Sequence, residues 1–110
     1  FPNRIESHGH LKSAEMVVSG KADIAAIDAV TWILIERHEA FALKLRVLER
    51  TTPTTPALPL ITSLALDADQ IFDAVKQAIQ DLPQDMRDDM LLKGIVKIPA
   101  SEYLKIPNPE

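Results

Sequence analysis

Two histidines and two serines lie close together near the start of the chain, in the stretch SHGHLKS at positions 7–13. Imidazole is a common metal ligand, but His8 and His10 would not share one face of a helix, and no nearby cluster of histidine and acid completes a site by its spacing. Alternatively, His10 is an ordinary residue in the first turn of a helix. A third interpretation is an anion site, because a helix N-terminus presents free backbone N–H groups and the positive end of the helix dipole. The residues that suit such a surface beside His10 are Ser7, Gly9 and Ser13.

A second candidate is Asp28, which ends the apolar run from Ile24 to Ile27 and precedes a helical pattern. We expect its carboxylate to face a cleft and not the core, because a buried charge is tolerated only where a polar partner meets it. It can cap the following helix by accepting a hydrogen bond from a backbone N–H group. It can equally bind a ligand, since ligands of open α/β sheets collect beyond the carboxyl ends of the strands. Periodicity does not choose between these two roles, which are compatible.

The elements that must position these side chains alternate between helix and strand, and this order predicts an α/β fold. Apolar spacing and end signals predict helices over 8–20, 29–45, 67–82 and 83–93, with a helical turn in 100–106. Short apolar runs predict strands over 23–28, 45–51, 60–66 and 95–98. Three prolines between two of these strands, at 53, 56 and 59, predict an extended segment over 51–59. The single tryptophan, Trp32, is expected in the core.

Composition excludes several classes of function. The chain has 110 residues, a net charge of −4 and no cysteine, which argues against nucleic-acid binding, disulfides and cysteine-ligated metals. There is no nucleophile motif, phosphate-binding loop or dinucleotide fingerprint, so no cofactor is predicted. Because the chain begins Phe-Pro-Asn, we expect a fragment or processed product whose targeting segment lies upstream.

The stretch HLKSAEMVVSGKADIAAIDAVTW, positions 10–32, resembles the phosphate-, phosphonate- or phosphite-binding proteins of ABC transporters, the PhnD-like family. Members carry an H-x-x-S segment before a helix and then a G-x-A-D segment that ends in Asp or Asn. His10 and Ser13 match the first segment. The second is matched by Gly20, Ala22, Asp23, Ala25 and Asp28. The proline-rich stretch and the C-terminal GIVKIPASEYLKI also resemble the family, so the likeness covers essentially the whole chain.

The resemblance implies the C-terminal portion of a type II periplasmic-binding-protein fold, a two-lobed α/β sandwich with a hinge. Residues 1–50 would belong to the second lobe, 51–59 would form a hinge or crossing segment, and 60–110 would return to the first lobe. It also implies that His10 contacts an anion, that Asp28 lies at the cleft, and that Thr31 faces the same way one turn later. A carboxylate beside a dianion is unfavourable unless one is protonated or bridged, which favours a monoanion or a ligand other than a phosphonate.

The function implied is an extracytoplasmic, periplasmic solute-binding component that delivers a small oxyanion to an ABC permease without chemistry. Binding would be coupled to hinge closure. One alternative is a ligand-sensing domain of similar fold in a signalling protein. Another is an enzyme on the same fold, for which His8, His10 and Asp28 are the available groups.

Overall fold

The computed structural model describes residues 3–106 and divides the chain into two compact units, Phe1–Arg50 and Thr51–Glu110. The first unit contains α1 (His10–Val18), α2 (Ala29–His38) and a 3₁₀ helix (Ala40–Lys44). The second contains α3 (Ala68–Asp81), α4 (Gln84–Asp89) and α5 (Ala100–Tyr103). No helix in this described part of the chain is long and apolar enough to cross a membrane.

The first helix, α1, agrees with its sequence pattern and ends where glycine predicts. Its C-cap is Ser19, and Gly20 follows with φ +72°, in the left-handed region that glycine enters without strain. The N–H groups of Lys21 and Ala22 then bond back to the Met16 carbonyl, which holds the chain against the end of the helix. The predicted helix over 8–20 is therefore confirmed, with each end two residues inside the expected range.

The long helix predicted over 29–45 is wrong in its second half. The chain leaves α2 at Glu39, which is extended at φ −114° and ψ 111°, and continues as the 3₁₀ helix. The break allows Ala42 to reach the core, where it is 8% exposed, and Phe41 to pack against the same cluster. A continuous helix would place the chain after His38 along the α2 axis, so packing and not local propensity ends the helix.

The core of the first unit is small and forms where its helices meet. Its buried residues are Ala14 from α1, Ile35 from α2 and Ala42 from the 3₁₀ helix. Partly buried apolar residues pack around these three: Ile27, Trp32, Phe41 and Leu45. Trp32 contacts this core as expected, although its indole nitrogen is buried without a hydrogen-bond partner among the described residues.

In the second unit, α3 begins at a strong cap. The Asp67 carboxylate accepts hydrogen bonds from the N–H groups of Asp69 and Gln70, at 2.9 and 3.3 Å. The helix is clearly amphipathic, with its apolar side half-buried at Ile71, Phe72, Val75 and Ile79. Pro83 precedes α4 and Pro99 precedes α5, as expected for helix starts. The predicted helix over 83–93 is too long, because α4 stops at Asp89 and Leu91 takes φ +58°.

The predicted strands do not form among residues 3–106, where no residue has strand structure. Among the described residues, the predicted strands 23–28, 45–51, 60–66 and 95–98 make no backbone–backbone hydrogen bond to a distant segment. Their few bonds are local, from Trp32 to Asp28, from Leu45 to Ala42 and from Leu66 to Ser63. A strand exists only when a second chain segment pairs with its N–H and C=O groups, and these apolar runs have no such partner here. Large apolar side chains in them are exposed as a result, including Leu48 at 64% and Ile61 at 90%.

Candidate functional site

His10 lies at the first position of α1, as predicted. The N-cap is Gly9, which has no side chain, and no side-chain hydrogen bond caps this helix. The first backbone bond that closes the helix runs from the Ser13 N–H to the Gly9 carbonyl, at 2.9 Å. The N–H groups in the first turn of α1, at His10, Leu11 and Lys12, therefore have no side-chain cap, while the Gly9 N–H lies 3.5 Å from Ser7 Oγ.

The two serines predicted in this segment are brought together. The Oγ atoms of Ser7 and Ser13 lie 2.6 Å apart, in a part-buried hydrogen bond. Ser7 Oγ is also 3.2 Å from the Gly9 carbonyl oxygen, to which it can donate. His8, with φ +61°, supplies the turn that folds Ser7 back over the start of α1. The local geometry thus gathers Ser7, Gly9 and Ser13 around one helix end.

Asp28 is the N-cap of α2, so the predicted capping role is confirmed. Its backbone is extended, at φ −66° and ψ 152°, and its Oδ1 accepts a hydrogen bond of 2.9 Å from the Thr31 N–H. This bond satisfies one of the free N–H groups in the first turn. The prediction that Asp28 ends a strand is wrong, because residues 23–28 form no strand. Its carboxylate is nevertheless directed to solvent and not into the core.

The two candidate groups meet across the helix ends. His10 Nε2 lies 3.4 Å from Asp28 Oδ2, with side-chain exposures of 50% and 47%. The contact is an ion pair whenever the imidazole is protonated. His10, Asp28 and Thr31 therefore form one cluster at the N-termini of α1 and α2, accessible from solvent and composed of an imidazole, a carboxylate and a backbone donor.

The pKa of the Asp28 carboxyl is lowered from its ordinary value of 3.8. Hydrogen bonding from the Thr31 side chain is the largest cause, followed by its backbone N–H, with a smaller attraction from His10. All three favour the charged form. Asp28 is consequently a carboxylate at neutral pH, able to accept hydrogen bonds but not to donate them.

An open, mostly apolar groove lies beside this cluster and was not predicted from the sequence. Thr31 contributes to it and also takes part in the cap of α2. Its other lining residues are Leu11, Leu34, Ile35, His38 and Glu39. The sequence contained an indication of this groove, because positions 31, 34, 35 and 38, which line it, share one face of a helix.

The described residues do not support the metal interpretation of the histidine pair. Within residues 3–106 no group of three or more His, Cys, Asp or Glu side chains could hold a metal ion. His10 has Asp28 as its charged neighbour, while His8 belongs to the turn before α1.

Comparison with known proteins gives one match. A family model described as "ABC transporter, phosphonate, periplasmic substrate-binding protein" matches residues 1–103, nearly the whole chain. No curated protein and no solved structure matches. The matched family consists of binding proteins of transporters and is not an enzyme family. By this match the chain belongs to the phosphonate periplasmic substrate-binding proteins of ABC transporters.

Proposed function

We propose that this protein is the extracytoplasmic solute-binding component of an ABC transporter and binds a small phosphorus oxyanion at His10. The family match over residues 1–103 carries the proposal. The 3.4 Å approach of His10 to Asp28 supports it, because residues distant in sequence supply one solvent-accessible polar cluster. The partner would be the membrane permease that receives the ligand.

The ligand contacts follow from the chemistry of the cluster. A protonated His10 attracts an anion, and the uncapped N–H groups of α1 lie beside it. The hydroxyls of Ser7 and Ser13, now bonded to one another, can turn toward an incoming oxygen. Thr31 and Gly9 border the same helix ends. The imidazole, the two hydroxyls and the uncapped N–H groups of α1 are the donors that an oxyanion needs.

We also propose that the whole protein has the fold of a two-lobed α/β sandwich, in which residues 51–59 cross between the lobes. Four runs with unpaired backbone groups and exposed apolar side chains support this, because such runs become stable strands when other segments of the whole protein pair with them. Hydrogen exchange of the whole protein tests it. Amides of Ile24–Ile27 and 95–98 are expected to exchange slowly; exchange at the rate of an unstructured peptide would refute the sheet.

Titration calorimetry of the whole protein with methylphosphonate tests the function. The wild type is expected to bind, and His10→Ala to bind about tenfold to a hundredfold more weakly, because a charge-assisted hydrogen bond is lost. The matched control is His38→Ala, an exposed histidine ten positions after Asp28 along α2, about 15 Å away at the helical rise. Equal losses in both variants, or no binding by the wild type, would reject the proposal.

A further inference from the structure

The apolar groove of the first unit begins at the cluster formed by His10, Asp28 and Thr31. One side of the groove starts at Leu11, the residue that follows His10 in α1. The other side starts at Thr31, whose N–H donates to Asp28 Oδ1 at 2.9 Å. From there the groove follows α2 to His38, about 10 Å along the helix axis. A group attached to a ligand held at His10 therefore has one continuous surface on which to lie.

Aliphatic side chains line the part of the groove nearest the cluster. Ile35 is 3% exposed and belongs to the core, so its position is fixed. Leu11 is 42% exposed and Leu34 is half-buried, so both leave apolar surface in contact with water. The ionisable lining residues on α2, His38 and Glu39, lie at the C-terminal end of that helix. An apolar group in this groove would remove its own methylene groups and these side chains from water, which is favourable.

The size and charge of the groove restrict what it can hold. Its volume is about 200 Å³, below the range of about 300–1,000 Å³ for pockets that take drug-sized ligands, so a short chain suits it. A cation on such a chain would lose hydration between Leu11 and Leu34 without gaining a partner, because the carboxylate that lines the groove, Glu39, lies at its far end. The groove therefore favours an uncharged chain.

We propose that this groove binds the organic substituent of the ligand, so that the protein prefers phosphonates that carry a short apolar chain. The inference rests on the proposed function, since it places the phosphorus group at His10. It concerns the part of the ligand that the polar cluster does not recognise, and it makes Leu11 and Leu34 specificity-determining residues.

The test is titration calorimetry of the whole protein with methylphosphonate, butylphosphonate and aminopropylphosphonate. Butylphosphonate is expected to bind at least about tenfold more tightly than methylphosphonate, because its additional methylene groups leave water. Aminopropylphosphonate has a chain of similar length that ends in an ammonium group, and it is expected to bind at least about tenfold more weakly than butylphosphonate. Equal affinities for butylphosphonate and methylphosphonate would show that another part of the whole protein fills the groove, and would overturn the inference. Aminopropylphosphonate binding as tightly as butylphosphonate would overturn it too.

Variants of the groove locate the effect. Leu34→Ser should reduce the ratio of butylphosphonate to methylphosphonate affinity to about threefold or less, because it removes apolar contact with the chain. Leu11→Ser changes a more exposed position and gives the same test if Leu34→Ser does not fold. The matched control is Leu43→Ser, since Leu43 is 93% exposed on the 3₁₀ helix and outside the groove, and it should keep the wild-type ratio.

The outcomes separate this inference from the proposed function. A ratio that stays at the wild-type value in both groove variants, or that falls equally in Leu43→Ser, overturns the inference alone. Failure of the wild type to bind any of the three phosphonates overturns the proposed function as well.

Discussion

The Nε2 atom of His10 lies 3.4 Å from Oδ2 of Asp28, and this contact joins the N-terminal ends of α1 and α2. Asp28 takes part in two structures at once, because its other oxygen caps α2 through the Thr31 N–H. A change at Asp28 is expected to act on stability through the cap and, if the proposed site is correct, on ligand binding, so the two effects need separate measurements.

Loss of the cap is expected to destabilise the first unit. Asp28→Ala should lower the free energy of unfolding by about 1 kcal/mol, the usual cost of removing an N-cap side chain. Asp28→Asn should change it little, because asparagine caps as well as aspartate does. Denaturant unfolding followed by circular dichroism measures both values. Equal stability of the alanine variant and the wild type would show that the Thr31 bond contributes nothing.

Lowering the pH should remove the electrostatic contribution of Asp28 to the stability of the folded protein. Its folded pKa lies below the ordinary 3.8, so the charged form is stabilised by folding. This contribution is complete above pH 3.8 and is lost as the pH falls through the lower, folded pKa. The stability of the wild type should therefore decline more steeply in that range than that of Asp28→Asn. Parallel pH profiles from thermal unfolding would contradict the lowered pKa.

The small core of the first unit depends on Ile35, which is 3% exposed. Ile35→Ala should cost about 2–4 kcal/mol, since it removes buried methylene groups and leaves a cavity where α1, α2 and the 3₁₀ helix meet. Leu43→Ala is the matched control, because Leu43 is 93% exposed and its truncation should stay within about 0.5 kcal/mol of the wild type. Similar losses in both variants would place the core elsewhere.

The Lys97–Asp69 ion pair joins the segment after α4 to the first turn of α3, and Lys97 Nζ also lies 4.8 Å from the centroid of the Phe72 ring. Hydrogen bonding with Lys97 holds the pKa of Asp69 below its ordinary value of 3.8. Lys97→Gln should raise the Asp69 pKa toward 3.8, as measured by NMR titration of its carboxyl carbon. Lys76→Gln, which changes an exposed lysine on α3, should leave it unchanged; an identical shift in both variants would assign the effect to net charge.

The parts of the structure that depend on neighbours in sequence follow from the residue types alone. Asp28 and Asp67 cap helices because the N–H groups they accept from lie two or three positions later. Gly20 ends α1 because its φ of +72° costs glycine little. His10 follows Gly9 at the start of α1, where the apolar spacing of the helix begins. Most helices and the candidate site residues could therefore be named from the sequence before the tertiary structure was considered.

Contacts between distant segments were decided by tertiary structure. Nothing in the spacing of His10 and Asp28 specifies that their side chains approach to 3.4 Å, because the distance depends on how α1 and α2 pack around Ala14 and Ile35. The end of α2 at Glu39 likewise reflects the entry of Ala42 into the core. The apolar run Ile24–Ile27 has the composition of a buried strand, but a strand needs a pairing segment, and periodicity within one segment carries no information about its partner.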